Sequence, residues 1–222
     1  MAGPVFGNVG AITDTNLTIP FGAGSTGDLL FMAWESDQSA DNAAASGWTG
    51  LKGSYTHVGG GTHALGYLWK IATTGTSGSQ AFTGMSTSPF CTSHIYRYSG
   101  TDGVTPINVG QVEADSITTT AITTTVANCM ELAILSYDAG SASATAPSGW
   151  TRRVDGTSTE NWYGAERLKV TAGATTTSTF QSANSAGVGI IHVALQPAAG
   201  AASIPYPSIY LPTTAMQRAS SW

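Results

Sequence analysis

The sequence predicts an all-β fold, an antiparallel β-sandwich of jelly-roll-like type built from two related half-units, followed by an extended C-terminal arm. No window shows the 3.6-residue apolar period of an amphipathic helix. Short runs rich in Val, Ile and Thr alternate with Gly/Ser/Thr turns, which is typical of many short strands. Ser-Gly-Trp-Thr at residues 46–49 recurs at residues 148–151, 102 positions later. Such a repeat indicates two copies of one unit.

The repeat extends to both sides of this motif. Matching apolar or strand-like runs lie at residues 28–34 and 130–135, at 66–72 and 165–170, and at 94–98 and 190–195. We place the halves at about residues 16–100 and 116–197, within a sandwich that covers residues 1–197. No linker-like stretch separates the two halves, so we expect one domain.

The strands follow in chain order, about fourteen in all. Residues 5–12 and 16–20 are the first candidates, and Gly59-Gly60-Gly61 predicts a hairpin between residues 51–58 and 62–72. Glycine supplies the positive φ that tight turns require. The remaining candidates lie at residues 28–35, 80–84, 90–98, 107–114 and 116–126, and in the second repeat from 130 to 197.

Residues 22–27 read Gly-Ala-Gly-Ser-Thr-Gly, the letters of a dinucleotide-binding fingerprint. That fingerprint needs a helix directly after the glycines, so that the pyrophosphate meets free N–H groups. Here residues 28–35 are short, apolar and strand-like. We therefore expect a flexible loop between two strands and no cofactor.

Composition excludes several classes of function. Charged residues make up 9% of the 222 residues, against about 25% in typical domains. The net charge is −5 and the largest basic cluster is Arg152-Arg153, so nucleic-acid binding is not expected. No apolar run approaches the ~18 residues of a membrane span, and the N-terminus lacks the features of a signal peptide. Synthesis in the cytoplasm is expected, with Cys91 and Cys129 as buried, reduced thiols.

No segment of the sequence contains a recognisable catalytic motif. The motifs GxSxG, HExxH, CxxC and GK[ST] are all absent, so we predict no catalytic residue and no enzyme. Glu35, Glu131 and Glu166 lie on strands, but the sequence gives no means of pairing two of them as a glycosidase requires.

A metal site is not expected either. His57 and His63 could face each other across the hairpin, but a zinc site needs three or four ligands and no third is evident. Asp37 and Asp41 lie in a polar loop over residues 36–46 that lacks the ligand spacing of an EF-hand. We expect this loop to be solvated.

The tryptophans allow two interpretations. Trp48 and Trp150 occupy equivalent positions of the repeat, which favours a role as structural anchors, one in each half. Alternatively, Trp34, Trp69 and Trp162 together with these two could form a platform on which a sugar stacks.

The C-terminal 25 residues differ from the rest. Residues 198–203 form a small-residue linker, and the prolines at 205, 207 and 212 disfavour both a helix and a central strand. We expect an extended arm that docks on another subunit or partner protein, with packing onto its own domain as the alternative. The anchors would be Ile204, Tyr206, Ile209, Tyr210, Leu211 and Trp222.

The order of motifs resembles a family of β-rich domains found in tailed-phage virion proteins and in some bacterial surface proteins. The matching segments are Leu-Thr-Ile-Pro at 17–20, Gly-Asp-Leu-Leu at 27–30, Gly-Trp-Thr at 47–49 and 149–151, and Trp-Lys-Ile-Ala at 69–72. The resemblance implies a non-enzymatic virion protein: a capsid decoration (cement) protein, a head fibre or a tail fibre subunit. Its partners would be the major capsid or tail protein and copies of itself. The alternative is a receptor- or carbohydrate-binding module for a host-surface glycan.

Overall fold

The computed structural model describes residues 2–14, 16–56, 61–86, 91–113, 116–138, 144–157, 160–181 and 188–199. Seventeen strands and no helix occur in these ranges. The strands of the first half are β1 Val5–Val9, β2 Thr13–Asp14, β3 Thr18–Phe21, β4 Leu29–Ser36, β5 Thr49–Thr56, β6 Thr62–Ile71, β7 Gly78–Ala81 and β8 Cys91–Ser99. Those of the second half are β9 Ile107–Glu113, β10 Thr118–Thr119, β11 Thr123–Thr124, β12 Cys129–Asp138, β13 Thr151–Thr157, β14 Glu160–Lys169, β15 Gly173–Ala174, β16 Ser178–Thr179 and β17 Val188–Leu195.

Two antiparallel sheets dominate the fold, and each is formed by one half of the chain. Sheet 1 has the order β1-β8-β4-β6-β5, with β2 also paired to β8, and sheet 2 has the order β9-β17-β12-β14-β13. The orders match strand for strand. The predicted antiparallel β-sandwich is confirmed. Its jelly-roll part is not confirmed, because a jelly roll combines two Greek keys, whereas each sheet here takes its strands from a single half.

The registers of the two sheets also match. Leu29 of β4 pairs with Ile71 on one side and Tyr98 on the other. At the same place in sheet 2, Met130 pairs with Leu168 and Leu195. The same one-to-one correspondence holds along the rest of these strands. Further equivalent pairs are Leu30 and Glu131, Lys70 and Arg167, Glu35 and Ser136, and His94 and Ile191.

The main core lies between the two sheets. It combines side chains from both halves: Leu29, Phe31, Ala33, Leu65, Tyr67, Tyr96, Tyr98, Leu132, Ile134, Val154, Trp162, Ile191, Val193 and Leu195. Contacts between the sheets are reciprocal: β1 contacts β13, and the strands equivalent to them, β9 and β5, also contact each other. Arg153 of β13 lies 4.6 Å from the ring centroid of Phe6 in β1, and the equivalent strands β5 and β9 meet where a side chain at Gly53 would collide with Val112.

Each sheet has a second core on its outer face. In the first half the β3–β7 pair covers it with Ile19 and Phe82, and in the second half the β10–β16 pair covers it with Ile117 and Phe180. The central strands are therefore buried on both faces, and all eight residues of β4 and of β17 are buried. This explains why their sequences are continuous apolar runs rather than alternating ones.

The loop at residues 22–27 is held from inside and is not the flexible loop that we expected. The fully buried guanidinium of Arg97 donates to the carbonyls of Gly22 at 2.9 Å and Ser25 at 2.7 Å, and to Asp28 Oδ2 at 2.9 Å. A side chain at Gly24 would collide with both Arg97 and Asp28. The glycines thus let the backbone pass close to the Arg97 guanidinium. The segment that follows them is strand β4, as predicted.

Candidate functional site

The predicted anchors, Trp48 and Trp150, occupy equivalent surroundings in the two halves. Trp48 packs edge-on against Phe82 at 5.0 Å between ring centroids, and Trp150 packs edge-on against Phe180 at 5.4 Å. A cation covers each indole: Lys70 Nζ lies 5.2 Å from the Trp48 ring and Arg167 lies 4.7 Å from the Trp150 ring. Trp150 is buried and Trp48 half-buried.

The sugar platform is incomplete. Trp34 is 1% exposed and Trp162 is not exposed at all, so neither indole can stack on a sugar, and Trp150 is also buried. Trp48 and Trp69 remain, both half-buried. The platform interpretation is therefore wrong for three of its five members, because these tryptophans fill the cores.

The residues predicted as arm anchors, from Ile204 to Trp222, lie outside the described residues. The chain can be followed to Ala199, which lines a cleft of about 220 Å³. The other cleft-lining residues are Val126, Ala127, Asn128, Gln196 and Pro197. Hydrogen bonds fix this end of the chain, since the Ala198 amide donates to the Gly100 carbonyl at 2.8 Å.

Exposed apolar side chains lie on segments that approach the cleft. Val5, Val104, Leu168 and Val170 are between 48% and 82% exposed. Leu168 and Val170 belong to a segment beside the cleft: a side chain at Gly3 would collide with Leu168 and with the Asn128 carbonyl, and the Asn128 amide donates to the Val170 carbonyl. Val5 follows Gly3 by two residues. The segment that carries Val104 is tied to the cleft because the Asp102 amide donates to the carbonyl of the cleft-lining Gln196 at 2.9 Å. We call these four residues together with the cleft the exit surface.

Three buried carboxylates lie on the strands, and the structure places each of them with different partners. Glu35 contacts His63, with Nδ1 to Oε1 at 2.9 Å, and Asp37 Oδ1 is 3.4 Å from the same nitrogen. On the far side, Ser136 Oγ of the second half donates to Glu35 Oε2. Glu35 is 1% exposed, so this polar group lies inside the contact between the sheets.

This grouping was missed from the sequence. Asp37 was expected in a solvated loop, but its side chain is only 11% exposed and faces His63. His57, the predicted partner of His63, lies outside the described residues. Asp37 lies two residues after Glu35, just beyond the end of strand β4. Nothing in the sequence indicated that its side chain would face strand β6.

Glu131 lies on the outer face of sheet 2 with two cationic or polar partners. Arg167 Nη2 is 2.9 Å and His192 Nε2 is 3.4 Å from its Oε2. Burial acts to raise the pKa of Glu131, but the hydrogen bonds and charges of His192 and Arg167 outweigh it, and the net pKa is lowered. Burial, and then the charge of the same carboxylate, raise the pKa of the Cys129 thiol to about 11, so this thiol is protonated at neutral pH.

Glu166 lies on the opposite face of sheet 2 from Glu131. It accepts hydrogen bonds from Tyr98 at 2.8 Å and from Arg153 Nε at 2.8 Å. Burial, and then the charge of Glu166, raise the pKa of Tyr98 well above its ordinary value. The described structure therefore does not bring any two of the three glutamates together as a glycosidase pair.

His94 lies in the core between the sheets. Its ring packs edge-on against Tyr96 at 4.7 Å and Trp162 at 4.8 Å between centroids. Neither ring nitrogen has a hydrogen-bond partner among the described residues. Burial lowers the pKa of His94 to about 3, so the side chain is neutral at physiological pH.

Both cysteines are buried, and they do not form a disulfide with each other. Within the described ranges, no helix has the length and apolar character needed to cross a membrane. Comparisons of the chain with protein-family models, with curated proteins and with solved structures find no match.

Proposed function

We propose that the chain is a non-enzymatic structural protein of a bacteriophage virion, and specifically a capsid decoration protein that binds neighbouring subunits. In this proposal the sandwich is a rigid body, and the exit surface with the arm that follows it makes the contacts. A head or tail fibre subunit, or a receptor-binding module, is the alternative within the same class of virion proteins.

The observation that carries the proposal is the exit surface. Single exposed apolar residues are ordinary, whereas a contiguous group of them marks an interaction site. Four such side chains lie on segments that approach an apolar cleft at the place where the described chain stops. The sequence that continues from there is itself apolar and aromatic. Together they provide a surface and a segment that can both be buried against a neighbouring subunit.

The low charge supports the same proposal. The protein has 8 basic and 13 acidic residues in 222, and two of its arginines are committed to internal partners. Arg97 holds the loop at residues 22–27, and Arg167 covers Trp150 and pairs with Glu131. A neutral surface of Gly, Ser and Thr suits close packing between subunits, because little charge must be desolvated.

The first experiment measures the solution mass of the full chain and of a chain stopped after Pro197. Light scattering after size-exclusion chromatography should give a closed oligomer for the full chain and a monomer for the truncated chain. Val104→Ser with Val170→Ser should weaken the oligomer. Leu51→Ser is the matched control, since Leu51 is also exposed, at 42%, but lies on the edge strand β5. Monomers throughout would contradict self-assembly through this surface.

The second experiment tests the virion itself. Mass spectrometry of purified virions that encode the chain should detect it at a copy number comparable to that of the major capsid protein. A few copies per virion would favour a fibre or receptor-binding subunit, and binding to a glycan array would then support the latter. Absence from virions would refute both forms of the proposal.

A further inference from the structure

We propose that Glu35, Asp37 and His63 form a binding site for one divalent transition-metal ion, with Zn²⁺ as the preferred occupant. Each residue offers one ligand atom, and the three atoms lie within 4.8 Å of one another. The proposal does not depend on the assignment to a virion, since it rests on these three side chains alone.

Both distances from the histidine nitrogen to the carboxylate oxygens suit a shared ion. Ligand atoms bound tetrahedrally at about 2.0–2.2 Å from zinc lie about 3.4 Å apart. His63 Nδ1 and Asp37 Oδ1 are already 3.4 Å apart. His63 Nδ1 and Glu35 Oε1 are 2.9 Å apart, so these two atoms need to separate by only about half an ångström.

The ligand types select the class of ion. An imidazole nitrogen with two carboxylate oxygens suits zinc and its neighbours, whereas calcium and magnesium prefer oxygen ligands only. With three protein ligands, the fourth position is left for water or for a ligand atom from outside.

The surroundings of the cluster resemble those of a prepared site. Metal-binding side chains are commonly oriented by a hydrogen bond to a second residue, and Ser136 Oγ donates to the other oxygen of Glu35. Ser136 is fully buried and belongs to strand β12 of the other half. The side chains of His63 and Asp37 are 8% and 11% exposed, so an ion can reach the cluster from the rim of the sandwich.

The other buried pair of histidine and carboxylate provides an internal control. His192 and Glu131 are 3.4 Å apart, but Arg167 also pairs with the carboxylate at 2.9 Å. A guanidinium is permanently charged and cannot act as a metal ligand. This second pair is therefore not expected to bind a metal ion.

The experiment titrates the EDTA-treated full chain with Zn²⁺, and separately with Co²⁺, whose visible absorption reports direct coordination. We expect one ion bound per chain and a melting temperature that rises with Zn²⁺ and falls back with EDTA. Glu35→Gln, His63→Gln and Asp37→Asn should each weaken binding at least tenfold. Ser136→Ala should weaken it about tenfold through loss of the orienting bond, and His192→Gln should bind as the natural chain does.

Three outcomes would overturn the proposal. One is a natural chain whose melting temperature is indifferent to Zn²⁺ and EDTA. The second is unchanged binding in the Asp37→Asn variant, which changes a side chain at the rim and should fold even if the Glu35 variant does not. The third is loss of binding in His192→Gln alone.

Discussion

The two halves of the molecule share their scaffold and differ in their buried polar groups. Both sheets have the same strand order, and in both an indole stands between a phenylalanine and a cation. At other equivalent positions the halves diverge: Glu35 corresponds to Ser136, and Leu30 to Glu131. Features present twice are required by the fold, and features present once are where a specific function can lie.

The largest effect is expected for the repeated tryptophans. Trp150→Ala should lower the free energy of unfolding by about 3–5 kcal/mol, because it removes a buried indole from its core. Trp48→Ala should cost less, about 2 kcal/mol, because Trp48 is only half-buried. Urea unfolding followed by circular dichroism measures both. A larger loss for Trp48 than for Trp150 would contradict the argument that burial sets the cost at these two positions.

Arg97→Lys tests a feature of the first half alone, since the equivalent position in sheet 2 is Ala194. The guanidinium makes hydrogen bonds to Asp28, Gly22, Ser25 and Thr74, and a lysine cannot reproduce this fork. We expect a loss of about 2 kcal/mol in unfolding free energy. The control is Arg152→Lys, whose exposed pair with Asp155 should change stability by no more than about 0.5 kcal/mol.

His94 should make stability depend on pH. Its pKa is about 3 in the folded protein, whereas an exposed histidine, as in the unfolded chain, has a pKa of 6.5. The unfolded chain therefore binds a proton below pH 6.5 that the folded chain rejects, and stability falls as the pH decreases through this window. Between pH 7 and pH 5 this group alone should remove about 2 kcal/mol.

The matched variant is His94→Ile, which copies the equivalent Ile191 of sheet 2. Urea unfolding at both pH values should show a pH dependence smaller by about 2 kcal/mol in the variant. Because all other titrating groups are common to both proteins, they cancel in the comparison. An identical pH dependence would show that His94 does not cause the effect.

The smallest effect should be the same in both halves. Gly47 has φ of +77° and Gly149 has φ of +87°, and neither has an atom within 4 Å of the position that a Cβ would take. Alanine at either position should cost about 1 kcal/mol, from backbone strain alone. Thermal or urea unfolding of the two single variants gives the comparison. A cost at one glycine more than twice that at the other would break the equivalence of the two turns.

Much of the scaffold could be predicted from the sequence, because it is encoded locally. Continuous apolar runs marked the central strands, and the repeated Gly-Trp-Thr marked the two anchors. The pairing of the outer strands β10 and β16 could not be predicted, and residues 116–126, expected as one strand, form the two short strands β10 and β11. Strands of two residues have no periodicity. The β10–β16 pairing depends on Thr118 and Thr119 meeting residues about 60 positions away.

The polar clusters could not be predicted for a similar reason. Glu35 and His63 are 28 positions apart, and Glu35 and Ser136 are 101 apart. A charged residue inside a strand gives no indication of which distant side chain will face it. The pairing of Arg97 with Asp28, 69 positions away, illustrates the same limit. Here the sequence indicated the loop but not the cation inside it.

The reciprocal contacts between the sheets have a consequence for the origin of the chain. Strand β1 meets β13 while the equivalent β9 meets β5, and the equivalent residues Glu35 and Ser136 touch each other. This is the contact pattern of an isologous homodimer with a two-fold axis. A single chain that joins two such protomers, as gene duplication and fusion produce, keeps them together at any dilution. Each copy can then mutate independently, so Glu35 could arise without a second carboxylate facing it across the axis.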